Sequence, residues 1–339
     1  GYSSPVKLKM DRDDEALAFS MAHETDDFNR WEAGQQLSTR LILSLIDAIN
    51  EGRELSLPDY YVAACQKTLS DQTLDKALIA RAMTLPSLSY IGEMQSVVDV
   101  DAIHQAREFI HLELAQQLKD DFLDVYQSNA QDEYNLLPES MGKRSLRHQA
   151  LAYLMYLDEV GSSIAKLQYQ AADNMTDQIT AFKSLVHSET PSAGDVVEAF
   201  YQQWKEDNLV LDKWFTVQAT NPHLLIHESG KERVEKLFAH NDFDIKNPNR
   251  VRALLGAFCS ANPVCFHDVS GFGYSLLGSY IETIDAMNPQ IASRLSVPLT
   301  RWKRYSEQRQ QLMKAELQRL IVLPKLSKDV SELVEKSLK

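Results

Sequence analysis

The sequence predicts an all-α chain, a superhelix of stacked antiparallel helix pairs, on three observations. The first is poverty in turn residues: 12 Gly and 11 Pro in 339 residues, about half the usual share. The second is an apolar pattern of helical period that runs almost without interruption along the chain. The third is a recurrence of Asn-Pro at 221, 247, 262 and 288, which sets 221 against 262, and 247 against 288, at a common distance of 41 residues. That distance falls inside the ~40–47-residue period of HEAT and armadillo repeats, in which two or three helices form one unit. Neighbouring units of such a stack bury each other's apolar faces and leave a concave side that binds other molecules.

In chain order, "SSPVKLKM" (3–10) alternates Val6, Leu8 and Met10 and reads as a short strand. It has no partner strand in the sequence, so it is expected to close a domain that precedes this one. The helical domain is expected to occupy 11–339. Its helical patterns lie near 13–23, 26–50, 58–70, 101–129, 141–159, 175–187 and 193–205, then near 210–219, 230–239, 248–259, 272–287, 307–320 and 327–338. Some carry explicit starts: Leu57-Pro58-Asp59 is a proline start, and Ser229 with Glu232 forms a capping box. "NPNRVRALLGAF" (247–258) opens with Asn247 as N-cap and Pro248 at the first helical position. Val251, Leu254, Leu255 and Phe258 mark its apolar face. Arg250 and Arg252 stand near its start, where the helix dipole disfavours cations by roughly 0.3–1 kcal/mol each. Two arginines placed against the dipole call for a partner outside the helix.

Composition narrows the function. A formal charge of −13 argues against nucleic-acid and anionic-membrane binding. No apolar run reaches the ~18 residues of a membrane span; "LILSLIDAI" is interrupted by Asp47. Cys65, Cys259 and Cys265 have no metal-like spacing and read as small buried side chains in a reducing compartment, so a cytoplasmic location is expected. The first residue is Gly, and the chain is expected to be a piece of a longer polypeptide.

Chemical motifs are scarce. "AHETDD" (22–27) and "IHESGKE" (226–232) contain the His-Glu of a zinc-protease helix, but that motif needs a second His four residues on. Position 27 is Asp and position 231 is Lys. His23 and His227 therefore read as surface or capping residues. "SGFGY" (270–274) follows no strand and reads as a tight turn at a helix start, not as a phosphate loop.

Six collinear stretches carry a resemblance: "DDFNRWEAGQQL" (26–37), "GKRSLRHQALAYL" (142–154), "DNMTDQITA" (173–181), "LVLDKWFTVQAT" (209–220), "NPNRVRALLGAF" (247–258) and "NPQIASRLSVPLTRWKRY" (288–305). Across almost its whole length the chain resembles the C-terminal helical domain of the bacterial aminopeptidase N family, zinc-dependent alanyl aminopeptidases of the gluzincin type. The resemblance implies an upstream β domain, a thermolysin-like catalytic domain and a small β-sandwich whose last strand is residues 1–10. The family's zinc helix, its downstream Glu ligand and its Gly-Ala-Met-Glu-Asn loop are absent from this sequence. The resemblance thus implies zinc in the parent's catalytic domain, and no cofactor or catalytic residue in this chain.

The same resemblance assigns the helical domain to covering the catalytic cleft and lining the chamber that receives peptides. Its implied partners are the catalytic domain of the same polypeptide and peptide substrates, with no nucleic acid and no membrane. It places Arg252, Gln290 and Arg294 at the substrate chamber and leaves Arg250 structural. Gln290 and Arg294 are four apart, hence on one helical face, and Asn249 precedes Gln290 by one 41-residue period. Two other readings stand beside this one. The arginines are also explained as flanking charges that pair with nearby acids, and the chain as a free-standing helical scaffold with a protein or peptide on its concave face.

Overall fold

The computed structural model describes residues 11–131, 133–188, 193–225 and 230–339. The expected strand at 1–10 and the Ser229 half of the capping box lie outside the described residues. Among the described residues the regular structure is helical throughout. The helices are α1 (Asp14–His23), α2 (Asp27–Asn50), α3 (Asp59–Leu69), α4 (Lys76–Ala82), α5 (Leu88–Met94), α6 (Val100–Gln117) and α7 (Lys119–Ser128). Then come α8 (Pro138–Leu154), α9 (Glu159–Ala171), α10 (Met175–His187), α11 (Ala193–Trp204), α12 (Asn208–Ala219) and α13 (Gly230–Phe238). The last are α14 (Pro248–Val251), a π turn (Arg252–Gly256), α15 (Ala257–Ala261), α16 (Pro263–Phe266), α17 (Phe272–Asp285), α18 (Pro289–Thr300), α19 (Glu307–Ile321) and α20 (Lys328–Leu338).

Two compact units result. One comprises the described residues up to Ser87 with Gln105–Gly161; the other takes in Leu88–His104 and Ser162–Lys339. In the first unit α1 packs on α2 and α3, and α8 packs on α4 and α7. Leu17, Ile42, Tyr61, Ile79, Phe122 and Tyr153 are buried there. Phe122 stacks on Tyr153 at 4.5 Å between ring centroids. Arg30 is buried because it terminates α1. Its Nε and one terminal nitrogen donate to the Met21 and Ala22 carbonyls, and the other terminal nitrogen meets Asp71 at 3.1 Å. A cation is stabilising at a helix C-terminus.

In the second unit the 41-residue period becomes contact. Asn262 Nδ2 donates to the Asn221 carbonyl across 41 residues, and the Tyr201 hydroxyl donates to Asp242 across the same separation. Arg309 Nε donates to the His267 carbonyl, and the Ser327 amide to Asp285, each across 42 residues. Each period thus brings the next helices onto the previous ones in register. Leu88–His104 joins this unit through Arg304, which donates to the Gly92 and Gln95 carbonyls, and through Arg309, 2.7 Å from Asp101.

Several expectations meet the structure directly. Asn247, Asn262 and Asn288 each cap a helix with Pro at its first position. Asn221 does not: its side chain accepts from the His223 amide and opens a turn. The pattern at 101–129 divides at Leu118, whose φ of −113° and ψ of 28° leave the helical region. The pattern at 141–159 stops at Leu154, and α9 begins only after Asp158, which has a positive φ of 40°. The three cysteines are buried and free, and burial pushes the Cys65 thiol up to about 12. His23 lies exposed in the last turn of α1 against the Phe19 ring. "SGFGY" is a helix start: Gly271 caps α17 at a left-handed φ of 72°.

Candidate functional site

The segment that carries the two ill-placed arginines is held by a single face of α12. Positions 208, 212, 215 and 216 recur at helical spacing and therefore point one way. Arg250 donates to Asn208 Oδ1 at 3.3 Å, lies 3.4 Å from the Asp212 carboxylate, and sets its guanidinium 5.1 Å from the centre of the Phe215 ring. The Thr216 hydroxyl sits 3.0 Å from the Ala253 carbonyl and 2.9 Å from the Asp212 carbonyl. Arg250 is 3% exposed. It is structural, as expected, and its partners answer its placement against the dipole.

Arg252 has the opposite environment. It is exposed, and its guanidinium donates to the neutral Asn249 side chain at 2.9 Å. It also opens the π turn, in which the Ala257 amide reaches back five residues to the Arg252 carbonyl. Such turns insert one residue into a helix and occur frequently at functional sites. The sequence pattern read straight through this stretch as a regular helix.

Gln290 and Arg294 lie one turn apart on α18, both exposed. Among the described residues neither is recorded in a side-chain hydrogen bond, and Arg294 has no ion pair. Its neighbour Ser293 donates to the Asp329 backbone carbonyl at 3.3 Å. Pro298 lies inside the last turns of α18. Lacking an N–H, it cannot donate to the Arg294 carbonyl four residues back. Both candidate arginines therefore coincide with interruptions of the helical ladder.

The first turns of α14 and α18 are brought together. Pro248 and Val251 of α14, with Asn288 and Ile291 of α18, line one recess of about 290 Å³. The two Asn-Pro starts separated by 41 residues thus stand side by side, as their equivalent repeat positions predict. A larger concavity of about 510 Å³, which no sequence motif announces, lies elsewhere in the same unit between Val197, Trp214, Leu237 and the polar Arg233 and His240.

Among the described residues no three His, Cys, Asp or Glu side chains converge as a metal ion would require. No helix among the described residues is long and apolar enough to cross a membrane.

A family described as "Domain of unknown function (DUF3458_C) ARM repeats" matches residues 14–339. Aminopeptidase N of Escherichia coli (strain K12) is 37% identical over 338 residues, which cover 99% of this chain and 38% of that protein. Aminopeptidase N of Haemophilus influenzae is 35% identical over 337 residues, again 99% of this chain and 38% of that protein. Among solved structures, the crystal structure of Legionella pneumophila aminopeptidase A in complex with aspartic acid superposes with a TM-score of 0.86 at 32% identity, covering 99% of this chain and 40% of that one. The chain thus spans about two-fifths of the length of these relatives. With its helices stacked at a 41-residue period, the chain belongs to the DUF3458_C family of ARM-repeat domains.

Proposed function

We propose that this chain is the C-terminal helical domain of a cytoplasmic zinc aminopeptidase that removes N-terminal residues from peptides. In this reading it covers the catalytic cleft and lines the substrate chamber, with Arg252, Gln290 and Arg294 facing bound peptide. The observation that carries it is that Arg252 and Arg294 have no acidic partner among the described residues, each exposed on a helix whose regular ladder is interrupted, in a chain of net charge −13. A guanidinium without a counter-charge in so acidic a chain suits a peptide carbonyl or carboxylate, to which it makes a charge-assisted hydrogen bond. The similarity of 99% of the chain to aminopeptidase N proteins supports the parent activity.

The chemistry on the scissile bond belongs to residues outside this chain. Zinc in the parent would polarise the scissile carbonyl and activate water; this chain's own part is to bind, orient and restrict the peptide. The test is expression of the chain alone and within its full polypeptide, each assayed with a chromogenic alanyl amide and by metal analysis. The full polypeptide is expected to turn over substrate and carry zinc, and the chain alone to do neither. Chelator-sensitive turnover by the chain alone would contradict the assignment.

A further inference from the structure

The concavity of about 510 Å³ in the second unit carries chemistry that the stacking of helices does not use. Trp214 lines it from a face of α12 other than the one that holds Arg250 and the Ala253 carbonyl. Val197 of α11 and Leu237 of α13 complete an apolar wall. Arg233 and Lys236 stand three positions apart on α13, hence on one face with Leu237, and His240 follows the helix end. The volume lies within the ~300–1,000 Å³ typical of small-molecule pockets.

Three of the lining side chains keep donors in reserve. One terminal nitrogen of Arg233 donates to the His223 and Leu224 carbonyls, each at 3.0 Å, while its Nε is buried with no acceptor. A buried donor is costly unless an acceptor from outside the chain, water or ligand, meets it. Lys236 is exposed and has no ion pair among the described residues. The Asp242 amide donates to His240 Nδ1 at 3.2 Å, so the neutral ring carries its proton on Nε2. No Asp or Glu is among the described residues that line this space. Asp242 keeps its charge, but its carboxylate accepts from the Tyr201 hydroxyl and lies 3.7 Å from Nδ1, the other nitrogen of the His240 ring. Glu232 and Glu235 of α13 are exposed and pair with neither cation.

Two cations and no carboxylate in the described lining favour an anion and disfavour an ammonium group. The apolar wall suits an occupant whose remaining surface is apolar. We propose that this concavity binds a small monocarboxylate with an apolar body and no ammonium group. Its carboxylate meets Arg233, Lys236 and His240, and its body lies against Trp214 and Leu237. This site is independent of the chamber reading, in which the occupant is a peptide beside Arg252, Gln290 and Arg294.

The test titrates hydrocinnamate into the full-length polypeptide by calorimetry. Two comparators share its phenyl ring and chain: hydrocinnamamide lacks the charge, and free phenylalanine adds an α-ammonium. Hydrocinnamate is expected to bind saturably and about tenfold or more tightly than either, the effect of a charge-assisted hydrogen bond. Two variants locate the site. Gly194 lines the concavity, and a Cβ added there meets nothing within 4 Å. Gly194→Trp should therefore fill the space without strain and abolish binding. Lys236→Glu, at an exposed position, should weaken binding about tenfold or more, and thermal unfolding checks that both variants fold. Equal affinity for phenylalanine or for the amide overturns the selection for an anion without an ammonium group. Wild-type affinity in Gly194→Trp or Lys236→Glu, or no saturable binding at all, overturns the site.

Discussion

The Arg250 guanidinium lies 3.4 Å from the Asp212 carboxylate, with Arg250 3% exposed, at a junction that joins α14 to α12. Arg252, two residues on, reaches only Asn249 in its own helix and is exposed. Two arginines in one motif thus do different work. Removing one partner of a buried ion pair leaves the other charged and desolvated, which costs about 3–5 kcal/mol. Arg250→Ala and Asp212→Ala should each lose stability on that scale, whereas Arg252→Ala should stay within about 0.5 kcal/mol of wild type. Urea denaturation of the three variants separates these outcomes. Equal losses for Arg250→Ala and Arg252→Ala would show that the burial contrast has no energetic meaning.

The repeat register makes a second prediction. Asn262 caps α16 and also donates to the Ala219 and Asn221 carbonyls at 2.9 and 2.7 Å, fully inside the stack. Asn288 makes the equivalent cap of α18 at an exposed position. Asn262→Ala leaves the Ala219 carbonyl without this donor, while the Asn221 carbonyl keeps the Leu224 amide. One unsatisfied buried group at roughly 1–3 kcal/mol and a lost cap at about 1 kcal/mol together should cost about 2–4 kcal/mol. Asn288→Ala should cost about 1 kcal/mol, the worth of a cap alone. Thermal unfolding that ranks the two alike would deny that Asn262 links successive repeats.

How much of this was legible in the sequence depends on how local each feature is. The cap at Asn247, the helix starting after Pro58 and the 41-residue period are set by neighbouring residues or by repetition, and they read correctly. Thr216 and Asp212 contact the 250–253 segment from more than 30 residues away, and no local pattern reports such a clamp. Helix α18 escaped the periodicity list, and it contains Pro298, a residue that ordinarily ends a helix. The π turn was hidden for the opposite reason: Val251, Leu254, Leu255 and Phe258 keep an acceptable helical pattern through it. For the site, sequence spacing placed Gln290 and Arg294 on one face, and the resemblance supplied Arg252. That Arg252 and Arg294 lack acidic partners, and that a recess lies between their helices, required three dimensions.

Acid should weaken the second unit through His267. Its ring is buried, with Nδ1 3.0 Å from the Tyr274 hydroxyl and its face 4.1 Å from the Tyr305 ring. Burial, followed by the nearby Arg309 charge, lowers its pKa from 6.5 to about 3. The folded state therefore binds this proton less readily than the unfolded state. The associated stability is complete above pH ~6.5 and is lost progressively as pH falls toward 3. Wild type should melt at lower temperature at pH 5 than at pH 7.5, and His267→Gln should show a flatter acid limb. An identical pH profile in the variant would remove His267 as the cause.

The central claim, that Arg252 and Arg294 hold peptide beyond the scissile bond, is tested most directly by one ratio. In the full-length polypeptide, kcat/KM for a tripeptide is divided by kcat/KM for a chromogenic alanyl amide, for wild type, Arg252→Ala and Arg294→Ala. A charge-assisted hydrogen bond to the distal part of the peptide is worth roughly 1.5–3 kcal/mol, or about ten- to a hundredfold in that constant. The amide lacks this part of the peptide, so its turnover should be little changed and the ratio should fall by that factor in each variant. A ratio equal to that of wild type in both would contradict the account and leave the two arginines as surface charges.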